Sequence, residues 1–159
     1  MPTSPPSKRS AYASDSRYGE FMNVAGPTVS SRTAKRIGVL LAEDNEDLAE
    51  MLRASIEQEP DLKWVGCVNT VAALRGERPT DAAVVVLDLE LGGESSLPHL
   101  PQLRESMPDV AFVIFSGHNH PPLVRAALEA GASRYVVKSE GLDALLRAIR
   151  ESARGTAAK

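Results

Sequence analysis

Five residues able to do chemistry each close an aliphatic run. Glu43 and Asp44 follow "IGVLLA", Asp88 follows "VVVL", Ser116 closes "AFVIFS" and Lys138 follows "YVV". A carboxylate at the end of a hydrophobic run is costly unless it meets water, a cation or a hydrogen-bond donor. Brought together, three carboxylates would repel strongly without a cation. An all-oxygen set, with no Cys or His cluster at ligand spacing, favours Mg2+ over zinc. A carboxylate beside Mg2+, a hydroxyl and an ammonium suits the receipt of a phosphoryl group. The carboxylate is the nucleophile, the metal and lysine neutralise the equatorial oxygens, and the serine donates a hydrogen bond to one of them.

Each residue alone also admits a plainer role. Asp44, with Asp47 three residues on, suits a helix N-cap. Asp88 suits a loop cap, Ser116-Gly117 a turn, and Lys138 a solvated strand end. Only their joint occurrence at successive run ends favours the chemical reading.

These residues need elements that deliver them to one place. Ile37 to Ala42 has strand length. A helical pattern follows, with Leu48, Met51, Leu52 and Ile56 at steps of three and four. "DLKWVGCV" reads as a second strand, with Trp64 at its rim and Cys67 in the core, and "TVAALRG" as a short helix. "DAAVVVLDL" is a third strand whose continuous apolar run suits cover on both faces. A third helix is expected from about Ser95 to Met107, with Leu100, Leu103 and Met107 inward. "DVAFVIFSG" is a fourth strand, and "PPLVRAALEAGA" a helix that opens on prolines and ends at Gly131. "SRYVVK" is the fifth strand, and "GLDALLRAIRESA" a closing helix. Strands alternating with helices imply an α/β fold, a parallel sheet with helices on both faces. Function in such sheets gathers beyond the carboxyl ends of the strands.

Composition bounds the rest. The 159 residues give room for one domain with a real core. The single cysteine excludes an internal disulfide framework and fits a reducing, cytoplasmic setting. No stretch approaches the ~20 continuous apolar residues that span a bilayer. Residues 1–36 hold six Lys/Arg and two Asp/Glu, a net of +4; residues 37–159 hold twelve and nineteen, a net of -7. The acidic part argues against direct DNA binding, which needs concentrated positive charge. Residues 1–35 are expected to be a disordered basic extension, rich in serine and proline, 36–153 the folded domain, and 154–159 a flexible tail.

The fragments "LLAEDNEDL", "VVVLDLEL", "FVIFSGH" and "GASRYVVKSE", at successive strand ends, resemble the receiver domain of two-component response regulators. The resemblance implies a flavodoxin-like doubly wound (βα)5 fold, with strand order 2-1-3-4-5. It casts Asp88 as phosphoacceptor and Glu43 and Asp44 as the acidic pair for Mg2+, with the backbone carbonyl of Glu90 completing the protein ligands. Ser116 and Lys138 take the roles of the residues that contact the phosphoryl group. Tyr135 falls on the switch aromatic, whose inward turn remodels the surface of helix four, strand five and helix five. Glu90 and His118 occupy the positions that tune hydrolysis of the acyl phosphate. Three departures stand out: a Glu-Asp rather than Asp-Asp pair, Ser139 where many receivers have proline, and "GGESS" in place of a Pro-Gly loop.

The expectation is therefore a stand-alone receiver, a signalling domain rather than a metabolic enzyme. Its phosphoryl group comes from a histidine kinase or a histidine phosphotransfer protein. Its output is a protein contact or a phosphate-sink role, with a homodimer possible through the helix-four to helix-five face. The competing reading is a pseudo-receiver, a docking module that is never phosphorylated.

Overall fold

The computed structural model describes residues 34–77 and 81–158. The extension expected at 1–35 falls outside them, save residues 34 and 35. From Lys35 onward the chain is a compact unit.

Five strands make one parallel sheet: β1 (Ile37–Ala42), β2 (Leu62–Val68), β3 (Val84–Leu87), β6 (Ala111–Ser116) and β7 (Arg134–Val137). Their order is β2-β1-β3-β6-β7. Leaving aside a small hairpin, β4 (Glu90–Leu91) with β5 (Glu94–Ser95), this is the expected 2-1-3-4-5 order. The helices are α1 (Glu46–Gln58), α2 (Val71–Gly76), α3 (Leu100–Ser106), α4 (Pro121–Glu129) and α5 (Leu142–Ala157).

Of the central strands, β3 and β6 are buried along their whole length and β1 from Gly38 onward, because both faces are covered. Leu40, Val85, Phe112 and Ile114 pack with Val71, Leu74, Leu100 and Leu103 on one face. Val39, Leu41, Val86 and Phe115 pack with Leu52, Ile56, Leu145 and Ile149 on the other. Alternate residues of each strand thus enter opposite cores, as the two-residue side-chain period requires. Gly38 fits a close approach: a Cβ there would stand 1.8 Å from the carbonyl oxygen of Asp81.

Several expectations need correction. Met51 is 53% exposed, so the buried stripe of α1 is formed by Leu52 and Ile56 with Leu48 half-buried, at a spacing of four. Cys67 is exposed, because β2 is an edge strand and its far end lacks cover. The third helix starts later than Ser95: a 3-10 turn spans Leu97–His99 before α3 begins. The residues expected as a flexible tail from 154 are helical as far as Ala157. Ala153 packs on the core there, and the Thr156 hydroxyl donates to the carbonyls of Ser152 and Ala153.

Candidate functional site

Strand register decides which residues meet. Ala42 pairs with Leu87, so Glu43 and Asp88 emerge side by side. Ser116 pairs with Val137, which puts Lys138 one step beyond it. All five expected residues, with Glu90 and His118, line one cleft of about 660 Å³ at the carboxyl edge of the sheet.

Lys138 is the centre of the charge arrangement. Its ammonium donates to Oδ2 of Asp88 at 2.8 Å and to Oε2 of Glu43 at 3.1 Å. Burial works against its charge, but the bonds to Asp88 and Glu43 outweigh it and hold its pKa above the ordinary lysine value. Burial raises the pKa of Glu43, against the pull of the Asn45 N–H and Lys138; the charge of Asp88 raises it further. The chain after Lys138 makes a 3-10 turn, Lys138–Glu140, in which the Glu140 carboxylate accepts from the Val137 N–H at 2.6 Å. That bond fixes the turn where many receivers carry proline.

The acids are oriented by different means. Glu43 is buried, and its Oε1 accepts the Asn45 N–H at 3.0 Å. Asp88 is nearly buried, and its Oδ1 accepts the Glu90 N–H at 3.1 Å. Asp44 is exposed, and its Oδ2 accepts the Gly92 N–H at 3.1 Å. The helix N-cap is Asn45, whose side chain accepts from the Leu48 N–H. Asp44 is thereby released from the plainer capping role.

Carboxylate oxygens of Glu43, Asp44 and Asp88 lie within 4.8 Å of one another. Three hard oxygen donors opening on a cleft fit a divalent cation of the magnesium type. Such a cation would relieve the mutual repulsion that Lys138 relieves only for Glu43 and Asp88.

Ser116 is fully buried, and its Oγ accepts the His118 N–H at 3.2 Å. His118 Nε2 lies 3.1 Å from Oε1 of Glu90, so the two expected tuning residues meet across the cleft mouth. Tyr135 is half-buried, and its hydroxyl donates to the His118 carbonyl at 2.6 Å.

The sequence reading missed two supports. Ser96, fully buried, donates from Oγ to the carbonyl of Asp88 at 2.7 Å and fixes the backbone of that residue. Gly92 anchors Asp44. The signal for the hairpin that carries Gly92 was present in "ELGGES": a Gly-Gly pair between short runs is a two-residue turn.

The fold and site define a class of protein. The family model for the response regulator receiver domain matches residues 39–150, and the chain belongs to that family. Nitrate/nitrite response regulator protein NarL of Escherichia coli (strain K12) is 31% identical over 118 residues, 74% of this chain and 55% of that protein. Transcriptional activator protein ExaE of Pseudomonas putida is 29% identical over 125 residues, 76% of this chain and 57% of that protein. This chain thus spans about half the length of the curated relatives it matches. Among solved structures, a LuxR-family two-component response regulator from Aurantimonas sp. SI85-9A1 superposes with a TM-score of 0.69 at 30% identity. It covers 76% of this chain and 86% of its own. The receiver domain of the putative response regulator NarL from Mycobacterium tuberculosis shares the fold, with a TM-score of 0.69 at 20% identity over 76% and 98% of the two chains.

Proposed function

We propose that this receiver takes a phosphoryl group onto Asp88 from a phosphohistidine of a histidine kinase or histidine phosphotransfer protein. One carboxylate oxygen of Asp88 attacks phosphorus, the P–N bond to the donor imidazole breaks, and that imidazole leaves with the bonding pair and takes up a proton. Glu43, Asp44, Asp88 and the Glu90 carbonyl would hold Mg2+, which when bound neutralises charge on the phosphoryl oxygens. Lys138, already on Asp88, follows the new negative charge. The Ser116 hydroxyl turns from accepting the His118 N–H to donating to a phosphoryl oxygen. That turn pulls on the loop whose His118 carbonyl holds Tyr135, and so reaches the α4–β7–α5 surface.

The observation that carries this reading is the Lys138 ammonium bridging Glu43 and Asp88, with Asp44 beside them at the cleft. The output of this domain is a protein contact on α4–β7–α5, a phosphate-sink role, or self-association through that face. Arg125, Glu129 and Arg147 are exposed there, whereas Arg150 is committed elsewhere. The acidic net charge of residues 37–159 supports an output that does not contact DNA directly. Among the described residues no helix is long and apolar enough to cross a membrane.

Intact-protein mass spectrometry after incubation with Mg2+ and acetyl phosphate tests the proposal. One phosphoryl adduct is expected in the wild type, none without Mg2+ and none in Asp88→Asn. A folded wild type that takes no adduct and binds no beryllofluoride would overturn the proposal and favour the docking-module alternative.

A further inference from the structure

The β4–β5 hairpin forms one wall of the cleft, and its turn is built for close approach. Gly92 and Gly93 have φ of 61° and 83°, the left-handed region that two-residue hairpin turns demand. Their surroundings differ. A Cβ on Gly92 would stand 3.0 Å from the carbonyl oxygen of Asn69 and 3.1 Å from Cγ2 of Thr70; one on Gly93 would meet nothing within 4 Å. The tip of the hairpin therefore rests on the loop between β2 and α2 at Gly92 alone.

From that seat the Gly92 N–H reaches Oδ2 of Asp44 at 3.1 Å. Among the described residues it is the one hydrogen bond recorded for this carboxylate, whereas Glu43 and Asp88 each have two. Asp44 is also the exposed member of the acid triad. Free to rotate, it would lose side-chain entropy on taking a cation.

We propose that the Gly92 N–H is a positioning group for the cation site: it sets the Asp44 carboxylate through Oδ2 and leaves Oδ1 for the metal. The hairpin is then a working part of the metal site. The "GG" turn has a chemical reason, since a proline at this point has no N–H to give. Coupling between two sites is reciprocal, so a cation on Asp44 steadies the hairpin. The inference rests on the receiver reading for the use of the metal.

The experiment is an Mg2+ titration followed by amide chemical shifts, on wild type, Gly92→Ala and Gly93→Ala. Both substitutions put alanine in the left-handed region, but only at Gly92 does the added Cβ crowd its neighbours, so that the tip or the loop beneath it must shift by a few tenths of an ångström. Loss of an outer-shell hydrogen bond costs about 10–100-fold in metal affinity. Alanine keeps the N–H and only displaces it, and Asp44 is exposed, so the expectation for Gly92→Ala lies at the lower end, about tenfold weaker. Gly93→Ala is expected to stay within about twofold of wild type. Hydrogen exchange of the Gly92 amide in the wild type should slow when Mg2+ is added, a readout that needs no variant to fold.

Equal affinities for Gly92→Ala and wild type would overturn the proposal, as would equal weakening by both substitutions or a Gly92 exchange rate indifferent to Mg2+. In each of those cases the wild type still binds Mg2+ and the receiver reading stands. A wild type that binds no Mg2+ would remove both.

Discussion

Lys138 stands between the carboxylates of Glu43 and Asp88, and its strengthened hold on a proton has a sign. A lysine whose folded pKa is raised adds stability at neutral pH that is lost as pH rises through that pKa. The raised Glu43 pKa acts oppositely: its ionised form costs stability, and the cost recedes as pH falls through its folded pKa. At the cleft mouth, Glu90 and His118 are exposed but hold each other. Cutting either side chain opens the mouth to water. We therefore expect Glu90→Ala to speed loss of the aspartyl phosphate about two- to tenfold, up to about 1.4 kcal/mol in barrier. His118→Ala should act likewise and the double change should be less than additive, because the two touch. Decay of the phosphorylated species followed by mass spectrometry measures this, and an unchanged rate in Glu90→Ala would sink it. Site residues that end apolar runs were legible from sequence, since a charge there demands a partner. Ser96 was not: nothing in "GGESSL" tells which serine turns inward to hold the Asp88 carbonyl.

At the scale of elements, the three central strands were readable because a run buried on both faces admits almost no polar residue, and the edge strands β2 and β7 by their short apolar runs between turns. Helix faces were less so. Met51 sits at helical spacing from Leu48 yet points away from the sheet, and periodicity alone cannot distinguish stripe from flank. Arg150 illustrates a contact no periodicity reveals. Its guanidinium holds Asp61 with two bonds, at 2.7 and 2.8 Å, and Glu59 with one at 2.6 Å. It thereby clamps α5 to the turn between α1 and β2. The Arg150 bonds, against a small opposing effect of burial, hold the Asp61 pKa below the ordinary carboxylate value. A depressed carboxylate pKa gives stability that is present above the unfolded value and lost as pH falls through the folded one. Because the groups are partly solvated, Arg150→Gln should cost only about 1 kcal/mol near pH 7. The difference in Tm from wild type should shrink below about pH 4, where unfolded aspartate titrates. A gap that persists undiminished in acid would show that the arginine acts through packing alone.

For the whole molecule, one edge of the sheet gathers three carboxylates whose oxygens lie within 4.8 Å of one another, so a bound cation would be felt in the stability of the fold. A ligand bound only by the folded state raises its stability, by about 2.7 kcal/mol at a hundred times its dissociation constant. Mg2+ should therefore raise the Tm of the wild type in a concentration-dependent way. In Asp88→Asn, one ligand short, the shift should be much smaller. A flat melting temperature across a wide Mg2+ range, with the variant identical, would speak against a cation at this edge.

The exposed end of β2 offers something practical. The chain's one cysteine, Cys67, lies there with its sulfur 3.6 Å from the Glu43 carbonyl oxygen. A single-site fluorophore can therefore be attached to the unmutated protein, one residue's breadth from the acidic pair. Partial desolvation of the sulfur on its inner side, with the charge of Glu43, pushes the thiol pKa above its ordinary value, so coupling calls for mildly alkaline buffer. The edge that leaves this strand unpaired on one side thus hands the experimenter a reporter beside the acidic cleft, with no engineering of the chain.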